Sequence, residues 1–184
     1  KNTYIDRSTY LAVYGRTVNN CQSCVASKRC IVLEKVAEEF LTKFKTKMGT
    51  LKLGDPMDET TQLGPLSSEG ALETILKQVN KAVAQGAKIE VGGKKPNLTG
   101  NFIEATIISN ITPEMDLYKE ELFGPVASLY VVKNEEEAIQ LANATEFGLG
   151  GSIFSKDLER AKNIANQIDS GMIFINHPTK SSTD

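Results

Sequence analysis

Two short stretches carry residue types that could do chemistry. The first is Asn19-Asn20-Cys21-Gln22-Ser23-Cys24-Val25-Ala26-Ser27-Lys28-Arg29. A thiol attacks as its thiolate, and nearby cations or a helix end favour that form. Lys28 and Arg29 are close enough in sequence to Cys24 to act in this way. A lone cysteine is also commonly a buried, inert one. Cys21-x-x-Cys24 further reads as a redox pair or half of a zinc site. Zinc needs two more ligands. One other cysteine, Cys30, and one distant histidine, His177, supply them poorly, so no metal site is expected. The second stretch is Glu120-Glu121-Leu122-Phe123-Gly124-Pro125. On residue types alone it is a turn with exposed acids, since a Gly-Pro step forces the chain to bend. As the only histidine, His177 could act as a base, but a solvated loop residue is the expected reading.

The elements around these stretches follow from apolar spacing. Residues 6–18 place Leu11, Tyr14 and Val18 at helical spacing, with Asp6 or Ser8 as the cap, and deliver the Cys24 turn. Arg29 to Leu33 reads as a buried strand. Glu34 to Met48 is a helix with Ala37, Phe40, Leu41, Phe44 and Met48 on one face and Gly49 as its stop. Gly54-Asp55-Pro56 and Gly64-Pro65 are turns around a polar loop. Residues 67–85 form a helix capped by Ser67 or Ser68, with Leu72, Ile75, Leu76, Val79 and Val83 inward and Gly86 ending it. Lys88–Val91, Phe102–Ile108 and Val126–Val132 are strands. Asn134 caps a helix over 135–144. Phe147 to Gly151 lacks the G-x-G-x-x-G spacing of a phosphate loop and reads as a flexible turn into a strand over 152–154. Asp157 to Ile168 is a helix with Leu158, Ala161, Ile164, Ala165 and Ile168 inward. Gly171 to Asn176 is the last strand. Alternating strands and helices predict an α/β fold: a three-layer domain with a largely parallel sheet flanked by helices.

The 184 residues suffice for one domain with a core. A net charge of -2 gives no electrostatic reason for a nucleic-acid partner. The basic bias from Lys43 to Lys52 reads as a solvated helix face. No run approaches the ~18 apolar residues of a membrane span. Three cysteines are too sparse for a disulfide scaffold, so a cytoplasmic setting is expected. Lys1 opens close to a helix, and Thr179 to Asp184 is a polar tail. Both ends read as cuts through a longer protein.

Asn19, Gln22, Cys24 and Arg29 have the spacing Asn-x-x-Gln-x-Cys-x-x-x-x-Arg, which resembles the active-site signature of the aldehyde dehydrogenase superfamily. The signature usually has Gly at the position of Cys21. Glu-Glu-Leu-Phe-Gly-Pro resembles the second signature of the same family, and Gly171 to Asn176 resembles its third conserved stretch. The wording of residues 171–179 is most similar to the bacterial succinate-semialdehyde dehydrogenase branch. An arginine that grips the substrate carboxylate in some of that branch is here Val18.

The resemblance implies an NAD(P)-dependent enzyme, with NAD or NADP bound mainly by another domain. Cys24 would be the nucleophile, Glu121 would hold the nicotinamide ribose hydroxyls, and Phe123 would pack near the nicotinamide ring. A carboxylate can accept two hydroxyl hydrogen bonds, and an aromatic ring can position a flat heterocycle. It also implies that residues 1–184 are a catalytic domain, with the dinucleotide domain, the general-base Glu motif and the side-chain oxyanion Asn upstream. On that reading the fragment by itself is inactive, its partner is a small aldehyde, and the whole enzyme is a homo-oligomer. Two other readings stay open: a cysteine hydrolase or acyltransferase using Cys24 and His177, and a non-catalytic redox-responsive relative.

Overall fold

Strand alternation sends successive side chains to opposite faces, and in this chain both faces are apolar. In the computed structural model, which describes residues 3–179, β4 (Val126–Val132) puts Val126 and Tyr130 into one core and Ala127 and Leu129 into another. β3 (Thr106–Ser109) does the same with Ile108 and Ile107. Such two-sided strands need helices on both faces. The first core is closed by α3 (Glu69–Ala84) through Leu72, Ile75, Val79 and Ala82. The second is closed by α1 (Thr3–Thr17) through Ile5 and Val13, and by α2 (Glu34–Gly49) through Phe40, Phe44 and Met48. The result is the expected sheet flanked by helices.

The main sheet has the order β1-β4-β3-β2, with β1 at Arg29–Leu33 and β2 at Lys88–Val91. β1 and β3 both run parallel to β4, while β2 is antiparallel to β3. Arg29 pairs with Ser128. The segments that enter β1 and β4 therefore arrive side by side at one end of the sheet. A smaller parallel pair joins β5 (Gly151–Ile153) to β6 (Ile173–Ile175), connected through α5 (Leu158–Ala165). α4 (Glu135–Asn143) lies between β4 and β5.

Local start signals hold at three helices. The Ser68 hydroxyl accepts from the Ala71 N–H, the Asn134 carbonyl oxygen from the Glu137 N–H, and Asp157 from the Arg160 N–H. Gly86 ends α3 with φ +109, a value that suits glycine. Several expectations are corrected. Helix α1 begins before Asp6 and Ser8, so neither caps it; the Ser8 hydroxyl instead bonds back to the Tyr4 carbonyl. Its buried face carries Ile5, Ser8, Thr9, Val13 and Arg16, while Tyr14 is 51% exposed and Val18 points outward with it. Val83 and Leu158 are exposed, and Ala82 and Ala161 take the inward places. The expected strand 102–108 shortens because pairing with β4 starts at Thr106; Phe102, Ile103 and Ala105 are buried without it. The strand expected over 152–154 starts one residue earlier.

The basic stretch of α2 is also not a bare cationic face. Lys43 reaches Asp6 at 2.6 Å and Glu39 at 2.7 Å, and Lys45 reaches Glu90 at 3.0 Å. These pairs tie α2 to α1 and β2. The start at Lys1 and the polar tail at 180–184 lie outside the described residues.

Candidate active site

Helix α1 stops at Thr17 and the chain reverses through a tight turn, Val18–Cys21. Asn19, Asn20 and Cys21 take φ of 52, 51 and 58. Asparagine tolerates this left-handed region because its amide bonds locally; cysteine has no such compensation. Neighbours hold the turn in place. The Asn20 side chain donates to the Pro65 carbonyl at 3.0 Å and accepts from the Gly64 N–H at 3.0 Å. Gln22 accepts from the Ser67 N–H at 2.7 Å. The loop 64–67 is thereby the outer wall of the turn.

The two thiols of the Cys-x-x-Cys pair are unlike. Cys21 is 0% exposed, whereas Cys24 stands open to solvent, and all three cysteines are free. Burial pushes the Cys21 thiol up; the Arg16 and Lys28 charges pull the other way. Burial pushes Cys30 to about 11. Cys24 alone combines access with a rigid turn.

Lys28 draws the second stretch to the first. Its ammonium lies 3.0 Å from Glu121 Oε1 and 4.4 Å from the centre of the Phe123 ring. It also donates to the carbonyls of Ser23 at 3.4 Å and Cys24 at 3.3 Å. Glu121, Phe123 and the Cys24 turn therefore meet around one cation. Gln78 of α3 steadies the acids, donating to the Glu120 carboxylate at 3.1 Å and the Glu121 carbonyl at 3.2 Å. Gly124 packs close beneath: a Cβ there would come within 2.8 Å of the end of the Ile75 side chain, which would have to shift. Phe123 remains 43% exposed beside the carboxylate.

The third stretch closes on the same turn. The Thr179 hydroxyl donates to the Val25 carbonyl at 2.5 Å. Tyr4 donates to Asn176 Oδ1 at 2.6 Å, which fixes α1 against the end of β6. Arg29 does not join the site, contrary to expectation. Its guanidinium lies over the rings of Tyr118 and Tyr130, at 5.4 and 5.1 Å. It belongs to the sheet, where cation–π contact suits a desolvated Arg. His177 is exposed; its Nδ1 lies 2.8 Å from the Pro178 carbonyl and its ring stands beside Phe174. Among the described residues no hydrogen bond joins it to Cys24.

Sequence reasoning missed Arg16. It is fully buried, and its guanidinium donates to the carbonyls of Leu122 at 2.8 Å, Gly124 at 2.6 Å and Ser27 at 3.2 Å. Desolvation lowers its pKa, while the nearby Cys21, Cys30 and Glu121 raise it. No sequence signal marks it, because the apolar period of Leu11, Tyr14 and Val18 points elsewhere and its partners are backbone carbonyls.

Glu121 and Phe123 suit the end of a dinucleotide. The carboxylate, three-quarters buried, offers an acceptor pair for vicinal hydroxyls, and the open ring beside it offers a flat apolar face.

Known proteins share this fold. A succinate-semialdehyde dehydrogenase [NADP(+)] of Deinococcus radiodurans is 44% identical over 180 residues, covering 98% of this chain. The chain spans 38% of that relative's length. The crystal structure of succinic semialdehyde dehydrogenase from Streptococcus pyogenes in complex with NADP+ superposes with a TM-score of 0.93 at 41% identity, over 96% of this chain and 39% of that one. Betaine aldehyde dehydrogenase from Staphylococcus aureus in complex with NAD+ gives a TM-score of 0.92 at 34% identity, over 96% and 36%. The model of the aldehyde dehydrogenase family matches residues 1–184 from end to end. With the first two stretches meeting around Lys28 beside the mainly parallel sheet, and with that match, the chain belongs to the aldehyde dehydrogenase family.

Proposed function

We propose that this chain carries the cysteine nucleophile and the nicotinamide-side wall of an NAD(P)-dependent aldehyde dehydrogenase, and that the intact enzyme oxidises an aldehyde to its carboxylic acid. One observation carries the reading: Lys28 gathers the Cys24 carbonyl, the Glu121 carboxylate and the Phe123 ring. The succinate-semialdehyde dehydrogenases among its relatives favour succinate semialdehyde as the substrate. Val18 and Tyr14, exposed on the approach to the turn, add no cation for a carboxylate there.

In the proposed reaction the Cys24 sulfur bonds to the aldehyde carbon, and the carbonyl electron pair moves to oxygen. The Cys24 N–H is the donor this reading assigns to that oxyanion. NAD(P)+, when bound, supplies the hydride acceptor. Glu121 would hold its ribose hydroxyls and Phe123 would pack against its nicotinamide ring. Collapse of the oxyanion leaves a thioester on Cys24. Water then adds to it, the C–S bond breaks, and the acid leaves with the thiol restored. The chain spans 38% of its Deinococcus relative, so this reading assigns the rest of dinucleotide binding and the base for hydrolysis to other parts of a longer enzyme. The isolated chain is then inactive.

The test uses the full-length protein with an aldehyde panel and both dinucleotides. Cys24→Ser and Cys24→Ala should each cut kcat about a thousandfold with the fold intact. Undiminished oxidation by Cys24→Ala would dispose of the assignment.

A further inference from the structure

We propose that Arg16 is a positioning residue for the dinucleotide: it sets the distance between the Phe123 wall and the Cys24 turn. This rests on the reading of those two stretches as one site. Leu122 and Gly124 are the residues on either side of Phe123. Arg16 donates to both their carbonyls, at 2.8 and 2.6 Å, through the same nitrogen. It therefore pins the peptide units that bracket the ring, and so the direction in which the ring is presented. Its other terminal nitrogen donates to the Ser27 carbonyl at 3.2 Å, three residues beyond Cys24. One rigid plane spans both loops.

The choice of residue is informative. Burying a cation without a carboxylate bonded to it costs free energy that a well-packed apolar side chain would not. Arg16 makes its hydrogen bonds to backbone carbonyls, and it is 0% exposed. What the guanidinium provides and an apolar residue cannot is a fork of fixed geometry. A lysine would keep the charge and concentrate it at one point, so it could not hold both loops in the same relation. Gly15 supports this placement. Its carbonyl accepts from the Ser27 N–H at 2.9 Å, and a Cβ on it would meet the Ser27 hydroxyl at 3.0 Å. Helix α1 thus touches the turn at two successive residues and passes the constraint on through Arg16.

The effect should be selective. Loosening the Phe123 wall disturbs the dinucleotide more than the aldehyde. In the full-length enzyme, Arg16→Lys should raise the KM for the dinucleotide about tenfold, the worth of one hydrogen bond to a charged group, and shift the aldehyde KM less than about threefold. Arg16→Met should do more in the same direction. Alkylation of Cys24 by iodoacetamide without dinucleotide should keep its rate within about twofold in both variants. A merely structural arginine predicts something else: a smaller folded fraction, a lower kcat and both KM values unchanged. That pattern would overturn the proposal, as would failure of Arg16→Lys to fold. Cys24→Ala is run beside them. If it stays active, the reading of the site falls; if it is dead while Arg16→Lys leaves both KM values unchanged, only the role of Arg16 falls.

Discussion

Replacing Cys21 by glycine and by alanine should invert the usual order of stability. At an ordinary backbone position glycine is less stable than alanine by about 0.5–1 kcal/mol, because the unfolded glycine chain has more freedom to lose. Cys21 sits at φ 58. There a side chain with a Cβ carries about 1–2 kcal/mol of left-handed strain that glycine avoids. The difference leaves glycine ahead by up to about 1.5 kcal/mol, centred at about 0.75. Both variants also lose the buried sulfur, which costs each about 1 kcal/mol against the parent and cancels between them. Cys21→Gly should therefore lie near the parent and Cys21→Ala clearly below it. In a protein of this size about 1 kcal/mol corresponds to a midpoint shift of about 2–4 °C, so thermal and urea unfolding curves resolve the ranking. An alanine variant more stable than the glycine one would mean that the turn is not left-handed at Cys21, and the account of how Cys24 is presented would go with it.

Two further outcomes follow from the ion pairs. Lys28→Met and Glu121→Gln should each destabilise slightly, and their double-mutant cycle should show a coupling of about 1 kcal/mol, since both partners are partly sheltered; a coupling indistinguishable from zero would remove Lys28 as the link between the stretches. Glu90 combines burial, which pushes its carboxyl up, with bonds from Lys88, Ser109 and Lys45, which outweigh it and bring the pKa to about 2. A depressed folded-state pKa means the contribution is present above the usual carboxylate range and is lost as pH falls toward 2. Glu90→Gln should thus flatten acid denaturation between pH 4.5 and about 2, as read by urea midpoints; an unchanged slope would contradict the assignment.

Much of the scaffold was legible because its signals are local. Ser68, Asn134 and Asp157 announce helix starts through bonds made within one turn. Val126–Val132 reads as a strand because nearly every residue is apolar, which is what a strand covered on both faces requires. Helix α1 defied the same reasoning. Its buried face mixes Ile5 and Val13 with Ser8, Thr9 and a buried Arg16, so the apolar period of Leu11, Tyr14 and Val18 pointed the wrong way. In the candidate site, Cys24, Glu121 and Phe123 stand out as motifs, and the structure brings their stretches together around Lys28. Arg16 and Thr179 were not, because they bond backbone carbonyls, and a carbonyl leaves no trace in residue type. Arg29 misled for a related reason: proximity in sequence to Cys24 says little once a strand begins, and its cation turned toward Tyr118 and Tyr130.

The bond between Lys28 and Glu121 joins residues far apart along the polypeptide. A ribosome adding roughly 5–20 residues per second needs several seconds to travel from one to the other. Throughout that interval Cys24 is already made while the acid and the aromatic ring that will gather around Lys28 beside it are not. Assembly of the wall is therefore a late event in the life of each new molecule, and oxidants or alkylating agents meeting the nascent chain encounter the thiol before its surroundings exist.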